Sequence, residues 1–292
     1  MSHQYRDWKD HLMKTIDDSL PADTLYHLLH TSALVGLFTC IFVKASIRSR
    51  ISLLASGEVK RGLGGLHGNK GAIAVRFLVD STSFCFVNCH LAAGQTHAHA
   101  RHADVAAILD TAIFPVERDP TLRVDAFVPG GDGSLVLDHA LCFLSGDLNY
   151  RIDTMSRDTV VAAVHAANLA KLLDRDQLLV ARRRIPTFRL RSFDESPISF
   201  APTYKYDVGT DAYDSSEKKR SPAWCDRVLH RGNGRIRQLD YRRHEVRVSD
   251  HRPVSARFDA SVKQVGRGRT AVWDACVADW ETVRRQEAED DR

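Results

Sequence analysis

The sequence predicts a two-sheet α+β sandwich, and three observations support this. Apolar runs of strand length recur at hairpin spacing, helical patterns are few and interleaved, and no regular strand–helix alternation of the parallel βαβ kind is present. The strand-like runs cover 33–44, 51–55, 72–79, 84–90 and 140–146, with shorter ones near 198–204, 224–231, 235–240 and 253–258. Residues 5–20 read as a short amphipathic helix, and helical patterns also cover 98–113 and 154–175. Pro120, Pro129, Gly130, Gly131 and Gly133 mark 117–139 as a long loop. One domain is expected over 1–258, because no Pro/Ser-rich linker divides it. Residues 259–292 then form a polar tail with a helix around 271–286.

At 292 residues, with 43% hydrophobic and 27% charged residues, the chain can bury a sizeable core, which excludes disordered, collagenous and fibrous classes. The net charge of +4 permits an anionic partner without requiring one. Cys40, Cys85, Cys89, Cys142, Cys225 and Cys276 form no CxxC pair and fall mostly in apolar runs, as expected for reduced thiols of a cytosolic protein. The N-terminus is polar where a secretory signal would be apolar, and the run 33–43 is about half of the ~20 residues a membrane span needs. A cytoplasmic protein is expected, with any membrane contact peripheral.

Several segments could carry chemistry. In 84–90 the period of two puts Phe84, Phe86, Asn88 and His90 on one strand face, so a polar pair emerges at a buried strand's end. A strand-end histidine bonded to the next loop would look the same. In Gly146-Asp147-Leu-Asn149-Tyr-Arg151 an apolar strand runs into a carboxylate fit for base or metal work and a neutral amide able to hold a water, although Gly-Asp-x-Asn is also a common turn. Asp226, in a strand-like run, needs a partner such as an imidazole, and Asp250-His251 offers one at another strand's mouth. Lys70 between Gly68 and Gly71, Tyr204-Lys205 and Lys218-Lys-Arg220 suit a multiply phosphorylated ligand, or else form solvated loops. The arginines from Arg182 to Arg191 share that ambiguity. His97, His99 and His102 lie in a segment read as a loop entering a helix, with no Cys or acidic cluster beside them except Asp104, which argues against a metal site.

Taken in order, these segments resemble the inositol polyphosphate 5-phosphatase catalytic domain of the endonuclease/exonuclease/phosphatase superfamily, over 8–258. The strings that carry the resemblance are Gly62-Leu-Gly-Gly-Leu-His-Gly-Asn-Lys70-Gly-Ala-Ile-Ala-Val-Arg76-Phe77, Asn88-Cys-His90-Leu-Ala-Ala-Gly94, Gly146-Asp147-Leu-Asn149-Tyr-Arg151-Ile, Ala201-Pro-Thr-Tyr204-Lys205-Tyr-Asp, Ser216-Glu-Lys218-Lys-Arg220-Ser-Pro-Ala-Trp224-Cys-Asp226-Arg227 and Ser249-Asp250-His251-Arg252-Pro253. The resemblance implies a DNase I-like four-layer α/β sandwich of two facing sheets flanked by helices. The implied reaction is Mg²⁺-dependent hydrolysis of the 5-phosphate of phosphatidylinositol 4,5-bisphosphate, a related phosphoinositide or a soluble inositol polyphosphate. On that pattern Asp147 and Asn149 position and activate water, and His90 and His251 hold phosphoryl oxygens, with His251 oriented by Asp226. Asp250 lies at the metal-phosphate site. Tyr204, Lys205, Lys218 and Arg220 recognise the neighbouring 4-phosphate, and Lys70 and Arg151 line the pocket.

The resemblance has departures. The family opens with Trp-Asn-x-Asn and Gly-Phe-Gln-Glu segments whose Asn and Glu hold Mg²⁺, and Met1 falls after both. The expectation is therefore either an N-terminally shortened product or a chain that has lost much of its catalysis, with unpaired strand edges and exposed apolar surface where the core strands are missing. Glu58 and Glu117 occupy no matching context, and His102 stands where the family usually has Asn. A catalytically dead phosphoinositide-binding or scaffold protein and a nuclease of the same superfamily are the alternatives. Against the nuclease, and against a nucleic-acid partner, stands the Tyr204, Lys205, Lys218 and Arg220 set.

Overall fold

A computed structural model describes residues 3–264 and 267–290. Its helices are α1 (His3–Ser19), α2 (Ala45–Arg48), α3 (Ala98–Asp110), α4 (Pro120–Ala126), α5 (Arg157–His165), α6 (Leu169–Leu173), α7 (Gln177–Arg184) and α8 (Arg267–Asp290). Its strands are β1 (Tyr26–Leu34), β2 (Leu37–Lys44), β3 (Ile51–Gly62), β4 (His67–Val79), β5 (Thr82–His90), β6 (Leu141–Asp147), β7 (Asp226–Arg231), β8 (Ile236–Arg243) and β9 (Val254–Ala260). Strands β3-β4-β5-β6-β7 form the central sheet, in that order. All its pairings are antiparallel except β5–β6. A parallel pair needs a crossover, and the segment carrying α3 and α4 supplies it.

Side-chain alternation gives the sheet two different faces. Cys85, Val87 and Cys89 are buried under Val105, Ile108 and Leu109 of α3, in the cluster that also holds Leu144, Leu178 and Phe193. On the other face Phe77, Phe84, Phe86 and Phe143 stack in a ladder at ring separations of 5.0–6.3 Å. Two hairpins cover it. Asn88 donates to the Phe38 carbonyl and the Thr39 hydroxyl of β2, both at 3.1 Å, and Phe258 of β9 meets Phe143 edge-on at 5.1 Å. Sheets flanked by helices are thus what the sequence predicted, with a second β layer made of the separate hairpins β1–β2 and β8–β9.

Several boundaries differ from the sequence reading. The run 33–44 is interrupted by a turn at Val35 and Gly36, where Gly36 has φ +78°, so a strand from Tyr26 precedes it. The single helix read over 154–175 is two, because Ala167 takes φ +53° and the Asn168 side chain starts a new helix by accepting from Lys171 N. The loop 117–139 contains α4, begun by Asp119 as cap and Pro120 in the first turn. No strand forms over 198–204, where only Tyr204 makes bridges, to Ala223 and His251. The tail helix α8 is longer than the one expected over 271–286.

Three of the five arginines of 182–191 make contacts within the fold. Arg182 donates to the Phe193 carbonyl, Arg183 pairs with Asp174 at 3.6 Å and Arg189 pairs with Asp110. A stronger tie lies beneath β7. Arg227, 1% exposed, grips Glu195 through two bonds of 2.7 Å and Asp176 through bonds of 3.0 and 3.1 Å, while the Tyr241 hydroxyl donates to Glu195 at 3.0 Å. One guanidinium thus joins β7 to the cap of α7 and to β8. Removing it strands two buried carboxylates, so Arg227→Met should lower unfolding free energy by about 3–5 kcal/mol in a denaturant titration. A loss under about 1 kcal/mol would show that the cluster is not a structural anchor.

Candidate active site

Strand register builds the site. His90 sits opposite Asp147 in the parallel pairing and Asp147 opposite Asp226 in the antiparallel one, so three polar residues stand in a row at one end of the sheet. Gly146 makes the row possible: its φ is +124°, and a Cβ there would lie 2.1 Å from the Cys89 carbonyl oxygen. Beyond the turn Asn149, at φ +58°, donates its backbone N–H to Asp147 Oδ1 and its amide to Asp147 Oδ2, both at 3.0 Å. His90 Nε2 lies 3.4 Å from Asp147 Oδ2, and the Lys70 ammonium contacts the same ring nitrogen.

His251 arrives from the loop before β9, and its Nδ1 lies 2.8 Å from Asp226 Oδ2. That oxygen also accepts from the Thr203 hydroxyl at 2.7 Å. Tyr204 packs against the His251 ring at 4.7 Å, with the Arg151 guanidinium 4.5 Å from the Tyr204 ring centre. Arg151 also donates to the Asn149 backbone carbonyl at 3.0 Å and to its side-chain oxygen. His90, Asp147, Asn149, Asp226, His251, Lys70, Arg151 and Tyr204 therefore share one cleft.

Burial and neighbouring charge divide the titratable groups. Burial, then the charges of Lys70 and His251, pull the His90 pKa down to about 4 against Asp226, so this imidazole is neutral near pH 7. Burial also acts against the charged form of His251, but the hydrogen bond and charge of Asp226, with Asp147 and Asp250, outweigh it and raise its pKa. Asp147 is raised too, by burial first and then by the Asp226 carboxylate, against His251, Lys70 and Arg151. The cleft thus pairs a neutral histidine with a readily protonated one, beside a carboxylate that gives up its proton reluctantly.

Lys205 stands 4.0 Å from both Asp214 and Asp250. Asp214, 1% exposed, accepts from the backbone N–H groups of Ser216 and Arg220 and so fixes the lysine loop over the cleft. Lys218 and Arg220 line a cavity of about 260 Å³ with Arg151. Thr203, Asp214, Gln95 and Gln177 were not singled out from sequence. Thr203 lies in a quoted string, and Asp214 is within seven residues of Arg220, but neither residue type nor spacing marked them.

The acids present do not make a complete cation cage. Among the described residues no group of three His, Cys, Asp or Glu side chains is placed to hold a metal. Asp250 faces Lys205, Asp226 is committed to His251 and Thr203, and Asp147 to Asn149. His102 packs on Phe188 and Tyr150 at 4.7 and 5.8 Å.

A mixed sheet flanked by helices, delivering two histidines and an Asp/Asn pair to a cationic cleft, is the architecture of a DNase I-like phosphoesterase. The chain belongs to the endonuclease/exonuclease/phosphatase family 2, whose model matches residues 1–257. It is 51% identical over 282 residues to a probable inositol polyphosphate 5-phosphatase of Schizosaccharomyces pombe, covering 96% of this chain and 24% of that protein. It is 38% identical to synaptojanin of Caenorhabditis elegans, over 91% of this chain and 22% of the relative. It therefore spans about a quarter of the length of these curated relatives. The crystal structure of the inositol polyphosphate 5-phosphatase domain of SPsynaptojanin, in complex with inositol (1,4)-bisphosphate and calcium ion, superposes with a TM-score of 0.81 at 31% identity, covering 97% of this chain and 77% of that one.

The raised Asp147 pKa has a stability consequence. A carboxyl whose pKa is higher folded than unfolded favours the folded state when protonated, a contribution present below about pH 4 and lost as pH rises through the folded value. Asp147→Asn should therefore flatten the fall in unfolding midpoint between about pH 4 and pH 7, measured with chelator present. An unchanged slope would remove Asp147 as its source.

Proposed function

We propose that the chain removes the 5-phosphate from phosphatidylinositol 4,5-bisphosphate and related phosphoinositides or inositol polyphosphates. The observation that carries this reading is the row of His90, Asp147 and Asp226, joined by His251, opening beside a cavity walled by Arg151, Lys218 and Arg220. The families of the relatives and the inositol bisphosphate in the SPsynaptojanin complex support the same substrate class.

Asp147, held by two bonds from Asn149, accepts a proton from a water aligned with the phosphorus, and the Asn149 amide limits the directions that water can take. His251, whose pKa Asp226 raises against the effect of burial, and Lys70 face the phosphoryl oxygens as negative charge spreads over them. His90, neutral, offers one ring N–H to the same oxygens. Tyr204, Lys205, Lys218 and Arg220 take the neighbouring 4-phosphate. Mg²⁺ dependence belongs to this proposal, with Asp250 as the candidate carboxylate; the bound cation would neutralise phosphoryl charge.

Peripheral membrane association in the cytoplasm is the accompanying proposal. No described helix is long and apolar enough to cross a membrane. Leu63 and Leu66 are 79% and 88% exposed on the turn that leads into β4 and Lys70. Two apolar side chains standing in water beside a cationic mouth fit a surface that meets anionic lipid.

Phosphate release from soluble inositol trisphosphate and from phosphatidylinositol 4,5-bisphosphate vesicles, with and without Mg²⁺, tests the reading. Metal-dependent release is expected, reduced about 10²-fold or more by His251→Ala. Saturable headgroup binding without release would make the chain a binding protein, and DNA nicking in place of phosphate release would make it a nuclease.

A further inference from the structure

The cavity beside the cleft has a wall that the catalytic reading leaves unused. Four of its lining side chains, Arg151, Lys218, Lys219 and Arg220, are cations and can only donate hydrogen bonds. Gln95 and Ser221 line the same cavity and are neutral. Neither belongs to the phosphate-gripping set.

Gln95 is held at both ends. Its side-chain Nε2 donates to the Ile152 carbonyl at 2.7 Å, and its backbone carbonyl accepts from Gln177 Nε2 at 2.9 Å. Gln177 is 5% exposed and is locked in turn: its Oε1 accepts from Arg101 Nη2 at 2.5 Å and from the Arg151 backbone N–H at 3.0 Å. A carbonyl can only accept, so the Ile152 contact settles which amide atom of Gln95 is nitrogen. The atom left over is Oε1, which meets no donor among the described residues. Ser221 contributes a second unpartnered group, because its Oγ is shut off from solvent and has no hydrogen-bond partner among the described residues. A hydroxyl buried without a partner is unfavourable, and rotation about one side-chain bond re-aims it.

An amide oxygen repels phosphate oxygens, which are acceptors like itself. Its complement is a donor, and on a phosphorylated polyol the donors are the free ring hydroxyls. We propose that Gln95 Oε1, with the Ser221 hydroxyl of the same cavity, reads a ring hydroxyl of the substrate, making these two residues specificity determinants. The proposal rests on the headgroup reading and deepens it: the cations count phosphates, while the neutral pair registers a hydroxyl between them. A site built to hydrogen-bond a hydroxyl rejects the analogue that lacks it, since its own polar groups are then left unpaired.

Titration calorimetry on the full chain, with a chelator present to withhold the metal that turnover needs, tests this. The ligands are inositol 1,4,5-trisphosphate and the monodeoxy analogues lacking each free hydroxyl in turn. The wild-type chain should bind one analogue about 3- to 10-fold more weakly than the parent, the loss of one neutral hydrogen bond. Gln95→Leu should weaken the parent by a similar factor and that analogue no further, and Ser221→Ala should show the same pattern. Equal weakening of every ligand would assign Gln95 a structural role and overturn the proposal, as would unchanged affinities in both variants. Parent binding with no discrimination among the analogues would overturn it while leaving the headgroup reading intact. A wild-type chain that binds no inositol phosphate would bring down both.

Discussion

Register across β5, β6 and β7 is the constraint on which the rest depends. Side chains in a sheet alternate faces, so a slip of one residue between β5 and β6 would turn His90 away from Asp147 and bury the charge among Val87, Cys89 and Leu144. Two features oppose that slip. The phenylalanine ladder fixes which face looks toward the hairpins, and Gly146 lets the β6 backbone approach Cys89 where any side chain would collide. Apolar packing and one missing Cβ thus place the acids, and hydrogen bonds refine them.

The second constraint is electrostatic. Asp147 and Asp226 are neighbours on adjacent strands, and burial together with the Asp226 carboxylate raises the cost of ionising Asp147. His251 and Lys70 offset that cost, so the cleft tolerates the acids because cations are already in place. A tetrahedral anion carries the same sign as the carboxylates and is drawn to the same cations. Stability has been exchanged for a poised field, and the Arg227–Glu195–Asp176 cluster on the other side of β7 supplies rigidity in return.

Much of this was legible in the sequence, for identifiable reasons. A strand ending in Asn88-Cys-His90 and another ending in Gly146-Asp147 announce their polar tips by period alone, and the row needed only the pairing of β5 with β6. Asp226 advertised a need for a partner because it lay in an apolar run, and His251 answers that need. Thr203, Gln95 and Gln177 gave no such signal. Their importance lies in three-dimensional contacts between residues 23 to 82 positions apart, and single polar side chains carry no period. The helix break at Ala167 was hidden for a related reason, since neither Gly nor Pro marks it and the cap is an ordinary Asn168. The hairpin at Val35 and Gly36 was obscured by apolar residues running on through the turn, where Val35 is left exposed.

The central claim is that Asp226 and His251 act as one unit on phosphate. A double-mutant cycle on kcat/KM for phosphate release, with Asp226→Asn, His251→Ala and the pair, measures this most directly. If the carboxylate works only through the imidazole, the double variant is no slower than His251→Ala alone. Losses that multiply would show two independent contributions and would contradict the account.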